Sequence, residues 1–287
     1  MTNPANLEER ITNTLDGLSP MQKRMARFIL DNRYFTSFAS ASQVGEKNDT
    51  SAATVVRFAQ ALGYEGYSEL QEALRAELPS YMTAAMKMQA RLSTDGSPTS
   101  TPQHVFITDI QNIERTAGNL SEENLNAALD AILKARRILV IGAGLSSAGV
   151  IFLAHSLKVM GLPASAVQGE GLQSAVDLAQ LQPEDLLIAI DLWRYVRMTV
   201  TGIALAKELG AQTIAITDSI VSPLAQKADL AFEIATEGVA HSLSITGLMS
   251  LLNVLVAMLA DRIPQQVVDN LQHIDTAYRE NNLLIMK

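Results

Sequence analysis

Asp191, Arg194 and Arg197 lie close together in the stretch LLIAIDLWRYVRMTV, beside the single Trp of the chain. Five apolar residues lead into Asp191, so a buried strand is expected to end there. Open α/β sheets bind ligands at the carboxyl ends of their strands, where the strand order reverses. Two guanidinium forks at such a place can pair bidentately with phosphate or carboxylate. Asp191 disfavours a phosphate dianion beside it, and it can accept hydrogen bonds from ligand hydroxyls. The same charges also suit an ion-pair network, within the chain or with a neighbouring subunit. Sequence leaves both readings standing. For the Trp the simpler expectation is core packing.

A second candidate is ILVIGAGLSSAG, Ile138 to Gly149. Strand, Gly-rich turn and helix together form a phosphate cradle, in which N–H groups at the helix start attract an anion. Gly144, Ser146 and Ser147 are the residues that would meet a phosphate or a sugar oxygen. A dinucleotide site would need G-x-G-x-x-G, but Ser147 takes the third glycine position. No acidic residue clearly ends the next strand either, and Glu170 lies a little beyond it. A nicotinamide enzyme is therefore not supported, and no cofactor is expected. Glu237 and His241, four residues apart in EGVAH, could shuttle protons in an aldose–ketose isomerase. A capping Glu and a solvated His are the plainer reading. His155 is expected to face the core from the helix after the Gly loop. No pair of His residues has metal-ligand spacing.

The third candidate is ASASQVGEKNDTSAATVVRFAQALGYEGYSEL. Ser51 suits the N-cap of a helix of about eleven residues ending at Gly63. Val55, Phe58, Ala59 and Leu62 keep helical spacing and face inward. Ala53, Thr54, Arg57 and Gln60 lie opposite. A helix from Ala41 to Lys47 precedes it across a tight Asn-Asp-Thr turn, which gives helix-turn-helix geometry. Small residues allow close approach to DNA, Ser51 and Thr54 can reach phosphate or base, and Arg57 can fork onto guanine. Lys47 and Thr50, beside the turn, complete the expected DNA-binding set. An ordinary helical hairpin with solvated Thr and Arg would show the same spacing.

These elements belong to a chain of 287 residues, 48 % hydrophobic and 18 % charged, which suits one large or two smaller packed domains. It has no Cys, which excludes disulfides and thiolate metal sites and fits a reducing cytosol. No secretory signal pattern opens it, and LMSLLNVLVAMLA is too short to span a bilayer. A cytoplasmic protein is expected. The net charge of −8 is unevenly placed. Between Ser19 and Gln60 the basic residues Lys23, Arg24, Arg27, Arg33, Lys47 and Arg57 outnumber Asp31, Glu46 and Asp49. From Ser121 onward acidic residues prevail. Phosphate attraction depends on the local patch, so DNA is not excluded.

The polar stretch STDGSPTSTPQ, Ser93 to Gln103, separates helical patterns from strand–helix alternation. Ser19 with Pro20, and Ser121, are helix starts. ILVIG, ASAVQ, LLIAI, TIAIT and LAFEIA are the strands of a parallel sheet. SITGLMSLLNVLVAMLADR is apolar nearly all round, as expected of a buried or interface helix. The expected division is a helix-turn-helix domain over 1–80, a linker and connecting helices over 81–120, and an α/β domain over 121–287.

LSPMQKRMARFILDN, TSAATVVRFAQALGYEGYSEL and LAKELGAQTIAITDSIVSPLAQKADLAFEI resemble the RpiR family of bacterial transcription regulators over nearly the whole chain. The resemblance implies a DNA-binding α-helical domain followed by a SIS (sugar isomerase) domain, an α/β fold with a five-stranded parallel sheet flanked by helices on both faces. It also implies a homodimer or homotetramer on duplex DNA whose SIS domain senses a sugar phosphate or related metabolite. In SIS domains the loop after the third strand reads like S-x-S-G-x-T. Here it is Asp191-Leu192-Trp193-Arg194-Tyr195-Val196, so that phosphate assignment does not carry over. The expected effector set is Gly144, Ser146, Ser147, Asp191, Arg194, Arg197 and Glu237, for an anionic effector and with no catalytic turnover. A sugar-phosphate isomerase with an accessory helical domain is the other reading.

Overall fold

A computed structural model of the chain describes residues 7–77, 102–167, 172–283 and 285. The Ser93–Gln103 linker, apart from Pro102 and Gln103, lies outside them, as does Glu170. The chain divides into two compact units, the first ending at Gly96 and the second beginning at Ser97.

The described part of the first unit is helical: α1 (Leu7–Thr14), α2 (Pro20–Asp31), α3 (Arg33–Phe38), α4 (Ala41–Lys47), α5 (Ala52–Ala61) and α6 (Tyr67–Glu77). Ser19 and Ser40 close capping boxes with Gln22 and Gln43, which satisfy donors the first helical turn leaves open. Ser51 caps α5 by accepting from the Thr54 N–H at 3.3 Å. Helix α5 ends at Ala61, two residues before Gly63, whose φ of +85° turns the chain out of the helix. Val55, Phe58, Ala59 and Leu62 are buried in the core of this unit, as their spacing requires. Truncating Phe58 to Ala removes a large buried side chain and costs roughly 3–5 kcal/mol.

The second unit begins with α7 (Pro102–Gly118) and α8 (Glu122–Lys134), the latter capped by Ser121. Strands β1 (Ile138–Ile141), β2 (Ala164–Ala166), β3 (Leu186–Asp191), β4 (Gln212–Thr217) and β5 (Leu230–Glu233) then alternate with helices α9 (Ser147–Val159), α10 (Leu172–Ala179) and α11 (Arg197–Glu208). Helices α12 (Thr246–Arg262) and α13 (Pro264–Glu280) follow. The strands form one parallel sheet in the order β2-β1-β3-β4-β5. Every residue of β1 and β3 is buried, so both faces of the sheet need cover. Helices α8, α9 and α12 pack on one face with Ile138, Val140, Ile188 and Ile190. Helices α10 and α11 pack on the other with Leu139, Ile141, Leu187 and Ala189.

One expectation changes. His155 is exposed, not core-facing, and it lines an open groove with Ile151, Lys158 and Asp177. Position 155 lies between the helix rows that face the sheet, whose buried members are Leu153, Ala154 and Leu157. Helix α7, in the stretch expected to hold connecting helices, packs against α12 with an unusual face. It buries Thr108, Asn112 and Thr116 and exposes Val105, Ile107, Ile110 and Phe106, the last at 69 %.

The helix-turn-helix angle depends on Gly45. A Cβ there would stand 2.7 Å from the Thr50 carbonyl and 3.1 Å from the Ser51 backbone. Arg24 fixes the same turn by donating to the Asn48 carbonyl at 2.8 Å. Gly45→Val forces backbone apart and should cost roughly 1–3 kcal/mol. A lower melting temperature for the first unit, together with loss of DNA binding, is the expected result.

Candidate DNA interface and effector site

The exposed side of α5 is organised by hydrogen bonds among its own polar groups. Ser51 Oγ and Thr54 Oγ1 are 3.0 Å apart, and Arg57 Nη2 donates to Thr54 Oγ1 at 3.3 Å. Ser51, Arg57 and Lys47 are exposed, and Thr50 and Thr54 are half-buried. The face thus offers hydroxyls and a guanidinium beside small Ala53, with no acidic residue on α5 itself. Groups of this kind meet phosphates and base edges in the major groove.

In the second unit the chain crosses from β1 to the edge strand β2 and returns to β3 on the other side of β1. The strand order therefore switches between β1 and β3, and the loops after both strands leave from the same edge. Gly142 makes this approach possible. A Cβ there would meet the Ile190 carbonyl at 2.4 Å and Val150 Cγ2 at 2.8 Å. Gly144, at φ +57°, then turns the chain into a short 3-10 segment and α9. Ser147 is half-buried and Ser146 only 2 % exposed, so Ser147 is the more open hydroxyl.

On the β3 side, Asp191 ends the strand and Arg197 begins α11, so both lie at the carboxyl edge with Arg194 between them. Asp191 is 1 % exposed and accepts from the Val196 N–H at 2.7 Å. Arg194 and Arg197 are exposed, and among the described residues neither forms an ion pair. Pairing with Asp191 inside the chain is thus not what holds them. The Arg194 guanidinium lies 4.9 Å from the centre of the Trp193 ring.

Sequence reasoning missed Asp218, the residue after β4. Its Oδ1 accepts from the Tyr195 hydroxyl at 2.8 Å and its Oδ2 from the Trp193 N–H at 3.1 Å. Those bonds hold Trp193 at φ +68°, a conformation that costs a non-Gly residue roughly 1–3 kcal/mol. The sheet register sets Asp191, Thr217 and Glu233 in one row, with Asp218 next to it. Three carboxyl groups thus gather at one edge. Burial pushes Asp191 up to about 7, with repulsion from Asp218 adding to it. Burial also raises Asp218 and, with repulsion from Asp218, Glu233.

Glu237 follows β5, and its side chain is exposed, as is that of His241. The polar face of α7 holds this segment. Asn112 Nδ2 donates to the Glu237 carbonyl at 2.8 Å, and Asn112 Oδ1 accepts from the Glu237 N–H at 3.1 Å. Thr116 Oγ1 accepts from the Ala235 N–H at 3.0 Å, and the Ser244 hydroxyl donates to Asp109. Among the described residues no cluster of His, Asp and Glu could hold a metal ion. None of the described helices is, by itself, long and apolar enough to cross a membrane.

The raised Asp191 carboxyl has a sign that can be tested. Its folded value exceeds its unfolded one, so protonation favours the fold. That contribution is complete below the unfolded value near 3.8 and is lost as pH rises through about 7. Melting temperature should therefore be higher at the acidic side of neutrality than at mildly alkaline pH. Asp191→Asn keeps an acceptor for Val196 and should flatten the profile in that range. The flattening should be partial, because Asp218 and Glu233 titrate in the same direction.

Comparison with known proteins agrees with both halves. Residues 5–80 match the helix-turn-helix domain of the rpiR family, and residues 131–260 match the SIS domain. The chain is 29 % identical over 229 residues to the HTH-type transcriptional regulator HexR of Pseudomonas aeruginosa, covering 80 % of this chain and 79 % of that protein. It is 40 % identical to the sugar isomerase domain of an RpiR transcription factor from Sphaerobacter thermophilus, with a TM-score of 0.60, covering 61 % of this chain and 98 % of that domain. The fold also matches the Vibrio vulnificus NanR protein complexed with ManNAc-6P at 23 % identity and a TM-score of 0.68, covering 95 % of this chain and 98 % of that one. An N-terminal helix-turn-helix, a SIS sheet with its switch point between β1 and β3, and these likenesses agree: the chain is a DNA-binding transcriptional regulator of the RpiR family.

Proposed function

We propose that the SIS unit of this regulator senses a small, anionic, sugar-related metabolite at the carboxyl edge of its sheet and thereby alters DNA binding by α5. The observation that carries this reading is the pair of exposed arginines at the switch point, without ion-pair partners among the described residues. Guanidinium forks there suit a ligand acid group, and Ser147 and Glu237 would meet ligand hydroxyls. NanR carries a sugar phosphate on the same fold, which supports a sugar-derived ligand here. The SIS unit is a sensor and not an isomerase in this reading. Glu237 and His241 are exposed, which is a poor setting for tuning an acid–base pair. The chain acts in the cytoplasm as a homodimer or homotetramer on an inverted-repeat operator, and the apolar outer face of α7 supports association between copies.

Arg57→Ala should weaken operator binding by about 1–3 kcal/mol and relax specificity at one base position. Selection from random duplexes, run on both proteins, measures this, and enrichment of no motif by the wild type would remove the DNA-reading role of α5. Arg194→Ala should abolish the effector's influence on DNA affinity while ligand-free binding persists. If effector affinity is unaltered in this variant, while subunit association or thermal stability falls, Arg194 is a structural residue. Sugar isomerisation that disappears in Glu237→Gln would restore the enzyme reading.

A further inference from the structure

Three N–H groups of the loop between β3 and α11, those of Trp193, Arg194 and Val196, are already engaged. Val196 donates to Asp191 Oδ2 at 2.7 Å. Trp193 donates to Asp218 Oδ2 at 3.1 Å, and Arg194 donates to the Leu192 carbonyl at 2.8 Å. A turn that gathers N–H groups at the start of a helix is ordinarily a concavity for an external anion. Here two carboxylates of the chain itself occupy it. Asp191 is buried and reaches the loop from its own strand, while Asp218 reaches it from the neighbouring one.

We infer that Asp191 and Asp218 are specificity-determining residues that close this loop to phosphate by filling its N–H groups from within. The inference deepens the effector-site reading above and rests on it for the choice of edge. With the N–H groups taken, a ligand acid group is left with the outward guanidiniums of Arg194 and Arg197. A carboxylate can be satisfied by one guanidinium fork, through two parallel hydrogen bonds. A phosphate dianion carries twice the charge, so to the extent that Asp191, Asp218 and Glu233 are ionised it is repelled more than a carboxylate is. The class of effector that fits is a carboxylate bearing hydroxyl groups, in preference to a phosphate ester.

The test uses the full chain and inorganic phosphate as the probe. In the wild-type protein, phosphate added at constant ionic strength should leave the backbone amide resonances of Trp193 and Val196 unmoved. In Asp191→Ser, which frees the Val196 donor and removes the carboxyl, those resonances should shift. Phosphate affinity by calorimetry should rise about tenfold or more, which corresponds to ~1.4 kcal/mol. Movement of these wild-type amides by phosphate overturns the inference. So does an Asp191→Ser variant that folds, by its circular dichroism and melting curve, yet binds phosphate no better than the wild type. If that variant does not fold, the wild-type amides decide alone. Gluconate and glucose 6-phosphate, titrated against wild-type DNA affinity, test the underlying reading separately. A response to neither removes the effector reading while leaving the filled loop intact. A response to glucose 6-phosphate that shifts the Val196 amide overturns both the closure and the preference for a carboxylate.

Discussion

Strands β1 and β3 lie side by side with no exposed residue in either, and that burial governs the rest of the second unit. A parallel pair buried on both faces must be covered twice, so the chain has to cross over the sheet between successive strands. Each crossover delivers the next strand in the same direction. All carboxyl ends therefore come to one edge, where the backbone leaves its ladder and needs new partners. At this edge Asp191 and Asp218 supply them. The carboxylates thus serve the fold before they serve any ligand. Their elevated titration is the cost of placing acceptors where water is scarce.

Close packing around the sheet depends on glycine at contact points. A Cβ on Gly149 would meet Leu248 Cδ2 at 2.7 Å, and one on Gly247 would meet both the Ala235 carbonyl and Thr116 Oγ1 at 2.7 Å. These glycines let α9, α12 and α7 approach without a side chain between them. Helix α7 in turn holds the segment after β5 through Asn112 and Thr116. Asn112 and Thr116 supply bonds that the irregular backbone of that segment would otherwise lack, whereas the Thr108 hydroxyl donates to the His104 carbonyl of its own helix. This is why the helix turns Thr116 and Asn112 inward and leaves Phe106 and Ile110 outside.

Much of the architecture is legible in the sequence because it follows from local periodicity. Apolar runs such as LLIAI and TIAIT have one place to go in an alternating α/β pattern, and both are buried strands. The serine caps at 19, 51 and 121 are read from single residues, since a cap is a contact within three positions. Asp218 is different. Its partners, Trp193 and Tyr195, lie on another strand's loop, and their meeting depends on β3 pairing with β4. A signal was nonetheless present: Asp218 follows TIAIT much as Asp191 follows LLIAI. The inner face of α7 has no such signal. Its polar residues look solvated until the segment they bind, more than a hundred residues away, is in place.

The two loops that meet at the switch point come from separate passages of the chain, one opening the crossover after β1 and the other ending β3. Each is anchored by its own contacts: Gly142 against the backbone of β3 for the first, Asp218 from β4 for the second. Neither anchor includes the outward side chains of Ser147, Arg194 or Arg197. If these side chains meet the effector as proposed, its recognition can be rewritten at those positions while the scaffold stays as it is. A lineage built on this sheet has two nearly independent dials for altering its chemical vocabulary, and turning one does not require the other to be reset.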